Sequence, residues 1–269
     1  MSETTGPNGP KIIAIVNQKG GVGKTTTAVN LGSALAEKGH RVLLVDLDPQ
    51  GNATTGLGVQ KDADVLTTYD LLLDNASLQD VVQPTTIDNL FLAPATTDLS
   101  SADIEMAQNA KRSTLLRHAL SERDLKKFEL DYVLIDCPPS LNLLTLNAMV
   151  AAHSVLVPLQ CEFFALEGLS QLLMSIREIR QTANRNLRIE GVVLTMYDKR
   201  NNLSHLVEED ARKNLGELVF NTVIPRNVRV SEAPSFAMSV IQYDSGSKGS
   251  QAYRQLAAEL VEQQSRVAA

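Results

Sequence analysis

The chain has 269 residues, 43% of them hydrophobic, and a formal net charge of −6. That is long and apolar enough for one large core and too acidic for a surface coated in nucleic-acid-binding charge, although a local basic patch stays open. The two cysteines, Cys137 and Cys161, form neither a disulfide framework nor a C-x-x-C metal knuckle, and no apolar run approaches the ~18 to 20 residues that span a bilayer, so a soluble protein of the reducing cytoplasm is expected.

Residues 1–10, "MSETTGPNGP", hold nothing to bury and read as a disordered tail, with a single domain expected over 11–269. From Lys11 onward, short β-rich apolar runs alternate with helical periodicity. The runs are "KIIAIVN" (11–17), "RVLLVD" (41–46), "NLFLAP" (89–94), "DYVLID" (131–136), "HSVLVP" (153–158) and "IEGVVLTM" (189–196), and they suit parallel strands covered on both faces. Leu166, Leu169, Leu173, Ile176 and Ile179 recur at steps of three and four, as do Leu203, Leu206, Val207, Ala211 and Leu215, which predicts two amphipathic helices. "YDSGSKGS" (243–250) predicts a loop before a final helix carrying Tyr253, Leu256, Leu260 and Val261. The alternation implies an α/β fold: a doubly wound, mostly parallel sheet flanked by helices, with ligands at the carboxyl ends of its strands.

The first strand runs directly into "AIVNQKGGVGKTT" (14–26). Gly20, Gly21 and Gly23 let consecutive backbone N–H groups converge on phosphate oxygens, and a helix opening at Lys24 adds its partial positive charge. Lys24 is expected at the β- and γ-phosphates and Thr25 at Mg²⁺, with Val22 and Thr26 completing the nucleotide cradle. Where an ordinary phosphate loop has its first glycine there is Gln18, and beside it stands a second lysine, Lys19. Asp46 and Asp48 in "VDLDPQG" sit two residues apart at a strand end, which points both carboxylates the same way unless the chain has already turned, and Asp136 ends another strand after four apolar residues. The absence of N-K-x-D and T-K-x-D from the sequence favours ATP over GTP.

Lys19–Thr25 matches K-G-G-x-G-K-[ST] at every fixed position and so resembles the loop of the deviant Walker A ATPases. "VLLVDLDPQGNATTGLG" (42–58), "DYVLIDCPPSLNLLTLNAM" (131–149) and "TVIPRNVRVSEAPSFAMSVIQYD" (222–244) look like the ParA/Soj branch, the chromosome and plasmid partition ATPases; residues 60–130 carry the weakest signal. The resemblance implies that Lys19 acts across an ATP-sandwiched homodimer, that Asp46 supports and Asp136 holds Mg²⁺, and that Asp48 positions the attacking water. It puts Pro225 and Arg226 near the adenine. It further implies that Arg200 and Arg229, with Lys199 and Lys248 as weaker candidates, contact the phosphates of double-stranded DNA, and that a ParB-like centromere-binding protein stimulates hydrolysis. Aromatic residues make up only 4% of the chain, so contact with the DNA backbone, without sequence readout, fits best.

Three other uses of such a loop remain on the sequence alone. A nitrogenase-type reductase would need both Cys137 and Cys161 as ligands of a shared iron–sulfur cluster, but Cys137 reads as a small residue inside the second switch and Cys161 has no matching context. A MinD-like membrane-associated ATPase would need a basic amphipathic C-terminal helix, whereas "QAYRQLAAELVEQQSRVAA" mixes small apolar residues with Glu and Gln and reads as a packed helix. A ligase would need a second substrate pocket, for which no residues stand out. Arg177, Arg180, Arg185 and Arg188 form a further basic cluster, read equally well as the solvated end of a helix. The expected location is the cytoplasm, on the nucleoid.

Overall fold

Runs of residues that are apolar without alternation bury both faces of a strand, and five such strands form the centre of the sheet. The structure is a computed structural model that describes residues 9–60, 65–163 and 165–268; the expected tail lies, up to residue 8, outside the described residues. The strands are β1 (Lys11–Ile15), β2 (Val42–Asp46), β3 (Gln83–Pro84), β4 (Leu90–Ala93), β5 (Tyr132–Asp136), β6 (Ser154–Gln160) and β7 (Arg188–Thr195). They lie in the order β3-β4-β2-β5-β1-β6-β7, parallel throughout except for β3, which runs antiparallel to β4 at the edge. The fold is therefore the mostly parallel, doubly wound sheet expected.

Successive strand residues enter two cores. Ile13, Ile15, Val42, Leu44 and Leu134 pack with helix α1 (Lys24–Glu37) and with Tyr253, Leu256 and Leu260 of the final helix, Lys248–Ala268. Ile12, Ala14, Leu43, Val45, Val133 and Ile135 face the other way, onto Leu144, Ala148, Leu172 and Ile176 of the helices Leu143–Ala151 and Ala165–Thr182. The large apolar residues of the final helix up to Leu260 thus point into the protein.

Each of the six expected strands is present. β6 continues two residues further than the apolar run suggested, to Gln160, and the two-residue β3 was not anticipated. Pro84 sits there without cost because an edge strand leaves one side unpaired. The loop expected over 243–250 is shorter: Tyr243 closes a helical turn, Val240–Tyr243, and the final helix already starts at Lys248. Gly249 permits this, since a Cβ there would stand 2.3 Å from Cγ2 of Val230.

Candidate functional site

β1, β5 and β2 are neighbours, and their carboxyl ends meet where the sheet order reverses, beside β6. The chain leaves β1 after Ile15 and re-enters regular structure at Lys24. Gly21 and Gly23 turn it with φ of +75° and +88°, a region that strains any residue with a Cβ. Gly23 is the N-cap of α1, with no side-chain cap and no acidic residue in the first turn. The first N–H groups of α1 are left for an anion, and no acid of the helix's own first turn opposes one.

Side chains both within and far from the loop hold it in shape. Asn17 is buried; its amide nitrogen donates to the Pro158 carbonyl (2.8 Å) while its oxygen accepts the Lys19 N–H (3.0 Å). The Thr195 hydroxyl, at the end of β7, donates to the Val22 carbonyl (2.8 Å). The Lys24 ammonium donates to the Lys19 carbonyl (2.9 Å), bridging the loop from beneath.

The two lysines divide sharply. Lys24 is 7% exposed, and burial pulls its pKa down while Asp136, Cys137 and Asp48 pull it up. The Lys19 side chain is 48% exposed at the mouth and forms an ion pair with Glu162. Thr25 and Thr26 are half-buried in the first turn of α1, Val22 is buried, and Gly20 and Gly21 are exposed.

The acids fall into two kinds. Asp46 and Asp136 stand in register on β2 and β5 and both are fully buried. Asp46 is satisfied within the protein: one oxygen accepts the Asp48 N–H (3.1 Å), the other accepts the Thr54 N–H (2.9 Å) and hydroxyl (2.7 Å). Burial still raises its carboxyl to about 6. Among the described residues neither oxygen of Asp136 has a hydrogen-bond partner, although the Thr25 hydroxyl lies close enough to draw its pKa down; burial, then Asp46, push that pKa well up. An unpartnered carboxylate beside Thr25 at the floor of a phosphate-shaped loop is what a divalent cation would satisfy, and the residues fit Mg²⁺ held by a carboxylate, a hydroxyl and phosphate oxygens. Asp48 begins the loop after β2, where its side chain accepts the Gln50 N–H (3.0 Å) and its carbonyl accepts the Gly51 N–H (2.8 Å).

At the other rim, Tyr197 extends β7 by pairing with the 224–226 segment. Its N–H donates to Ile224 (3.0 Å) and its carbonyl accepts from Arg226 (3.0 Å). Pro225 is therefore half-buried against Tyr197, and Arg226 exposed. The basic residues lie outside this rim. Arg200 is 90% exposed in its side chain and gripped by both oxygens of Asp198 (3.1 and 3.0 Å). Arg229, in the helical turn Val228–Glu232, is paired with Glu232 (3.0 Å) and Asp244 (3.4 Å). Lys199 and Lys248 are exposed, and the Arg229 turn packs on the start of the Lys248–Ala268 helix. Arg177, Arg180, Arg185 and Arg188 are exposed along the end of the Ala165–Thr182 helix and the residues after it.

Both cysteines are buried and free. Burial pushes the Cys137 thiol well up and that of Cys161 to about 12, which makes them core residues and poor thiolate ligands. Among the described residues no helix is long and apolar enough to cross a membrane.

A glycine turn on a helix N-terminus with a buried lysine, flanked by strand-end carboxylates on a doubly wound sheet, defines a P-loop nucleotide-binding protein of the two-lysine type. The family described as "AAA domain" matches residues 10–189. The chain is 56% identical over 251 residues to the chromosome partitioning protein ParA of Caulobacter vibrioides, covering 93% of this chain and 94% of that one. It is 53% identical over 250 residues to the sporulation initiation inhibitor protein Soj of Bacillus subtilis, covering 93% and 98%. The chain belongs to the ParA/Soj family of chromosome-partitioning ATPases. Among solved structures, cobyrinic acid a,c-diamide synthase from Mycobacterium smegmatis, with bound ADP and magnesium, superposes with a TM-score of 0.81 at 39% identity, covering 94% of each chain.

Proposed function

We propose that residues 11–269 form a single ATPase domain that binds ATP and Mg²⁺, dimerises on ATP, binds double-stranded DNA without sequence preference as that dimer, and releases it on hydrolysis to ADP and phosphate. The observation that carries this reading is the split between the lysines: Lys24 is buried beneath the loop, while Lys19 projects from its mouth. Lys24 and the loop N–H groups would bind the β- and γ-phosphates of their own subunit, and Lys19 would reach the nucleotide of a facing one, as an arginine finger does. The bound ion would supply charge neutralisation at the phosphates, with Thr25 and Asp136 as its protein ligands. Asp46 acts behind it, holding Asp48 and Thr54 in place. Asp48 orients the attacking water, and Pro225 and Arg226 flank the adenine.

Closing a dimer doubles every DNA contact, so nucleotide state gates DNA binding through avidity, which an acidic protein with a small basic patch requires. Arg200 and Arg229 must exchange Asp198, Glu232 and Asp244 for DNA phosphates; solvent screens such exposed pairs, so little is lost in the exchange. A ParB-like centromere-binding partner would stimulate turnover, and the protein would work in the cytoplasm on the nucleoid. A membrane-directed, MinD-like role gains no support from the final helix, whose Tyr253, Leu256 and Leu260 pack into the core.

Charge reversal tests the DNA surface. Arg200→Glu and Arg229→Glu should keep ATP-dependent dimerisation and lose binding to random duplex DNA in a gel-shift or anisotropy titration. Normal DNA binding by both variants would remove this surface from the account.

A further inference from the structure

Glu162 has no part in the reading above, yet its carboxylate meets the one lysine on which dimerisation depends. It lies in the turn between β6 and the Ala165–Thr182 helix, where its carbonyl accepts the Ala165 N–H (3.0 Å) and its own N–H donates to Gln160 (2.9 Å). Lys19 is fixed at its backbone on both sides, by Asn17 through its N–H and by Lys24 through its carbonyl. The only freedom left to Lys19 is where its ammonium points, and in the isolated chain it points at Glu162.

We infer that Glu162 is a positioning residue that latches Lys19 onto its own subunit until the nucleotide of a second copy competes for it. The inference rests on the cross-subunit role proposed for Lys19. An ammonium paired in cis cannot at the same time neutralise a phosphate on the facing chain, so each subunit must open its latch before the dimer closes. A nucleotide phosphate carries more charge than one carboxylate and wins that competition, whereas an empty or poorly charged partner site does not. The half-exposed side chains, 48% and 30%, keep the latch weak. A pair of this exposure holds Lys19 by about 1.4-fold to fivefold per subunit, hence about twofold to 25-fold for a symmetric dimer that opens two.

The test is sedimentation velocity of the full chain over a range of protein concentrations, with Mg²⁺ and a slowly hydrolysed ATP analogue, on the parent, Glu162→Gln, Glu162→Asp and Lys19→Ala. Glu162→Gln should associate at a concentration about twofold to 25-fold lower than the parent at low salt, and the advantage should vanish near 0.5 M salt, where the pair is screened. Its affinity for ADP and its maximal turnover per dimer should match the parent, while the protein concentration giving half-maximal turnover falls; a merely structural Glu162 would move stability and leave that concentration alone. Glu162→Asp, which keeps the charge, should return towards the parent. If Glu162→Gln associates no more readily than the parent while Lys19→Ala fails to dimerise, the latch is overturned and the cross-subunit role stands. If Lys19→Ala dimerises as the parent does, the cross-subunit role falls and the latch with it.

Discussion

Asp136 stores a cost in the empty protein that nucleotide and metal should remove, and Asp136→Asn measures it. The carboxylate is fully buried, faces Asp46 across the β2–β5 register and has no hydrogen-bond partner among the described residues. Removing a buried charge that faces another carboxylate and is only partly offset by Lys24, while leaving a side chain of the same shape, should stabilise the metal-free protein by roughly 1–3 kcal/mol. In a chain of this size each kcal/mol moves Tm by about 2–4 °C. The sign with pH follows from the raised pKa: the folded-state carboxyl binds its proton more tightly than the unfolded one. Stability is therefore fully present below the ordinary carboxylate value of 3.8 and is lost as pH climbs through the folded-state pKa. Asp46, raised from 3.8 to about 6, loses up to about 3 kcal/mol over that window in the same way. Thermal unfolding after EDTA treatment should show the parent weakening from pH 5 to 8, and Asp136→Asn above the parent at pH 8 with the gap narrowing towards pH 5. Adding Mg²⁺-ATP should raise the Tm of the parent and reverse the order. An Asn variant less stable than the metal-free parent at pH 8, or one that gains the full Mg²⁺-ATP shift, would refute the assignment of Asp136 as the metal-facing acid.

Three further outcomes follow from the same geometry. Asp48→Ala should bind Mg²⁺-ATP and close the dimer but fail in single-turnover hydrolysis, leaving a protein trapped on DNA; turnover at the parent rate would make Asp48 a structural acid only. Thr195→Val removes the hydroxyl that holds the Val22 carbonyl and should weaken ATP binding about fivefold, or roughly 1 kcal/mol, in calorimetry, with the fold intact; unchanged affinity would mean that the loop needs no support from β7. Gly249→Val places carbon where Val230 already stands and should cost about 1–3 kcal/mol in urea unfolding, loosening the Arg229 turn from the final helix; a neutral result would show that this contact yields.

The central strands and the phosphate loop were legible because their chemistry is local. A strand buried on both faces must be apolar along its length, as "VLLV" and "YVLI" are before the aspartate that ends each, and a backbone that wraps phosphate must place glycines at Gly21 and Gly23. The acids were legible by their place at strand ends. What could not be read is what the acids do to each other: Asp46 is saturated by Thr54 and Asp48 while Asp136 is bare, a distinction set by packing. Asn17, Thr195 and Glu162 escaped notice for a related reason. Thr195 and Glu162 touch the loop or its lysine from parts of the chain as far as 173 residues away, and Asn17, though it stands in the loop's own stretch, braces it by reaching Pro158; none carries a local signal. The short helices between 60 and 130 have signals that were present but unread. Thr67 with Asp70 and Ser77 with Asp80 each form a reciprocal cap, a spacing visible in the sequence. β3 had no such mark, since two residues become a strand only because Phe91 and Leu92 lie alongside.

The measurement that tests the whole account most directly is the binding of the full chain to random duplex DNA in ADP, ATP and a slowly hydrolysed analogue, each titrated with salt. With the analogue, log affinity should fall linearly with log salt with a slope of about −3.6 if Arg200 and Arg229 of two subunits each neutralise one phosphate, steepening towards about −7 if Lys199 and Lys248 join them, and the sequence of the DNA should not matter. In ADP, binding should be weak and the slope roughly half as steep. Equal affinity in ADP and in the analogue, or no binding in any nucleotide at low salt, would contradict an ATP-gated DNA-binding dimer.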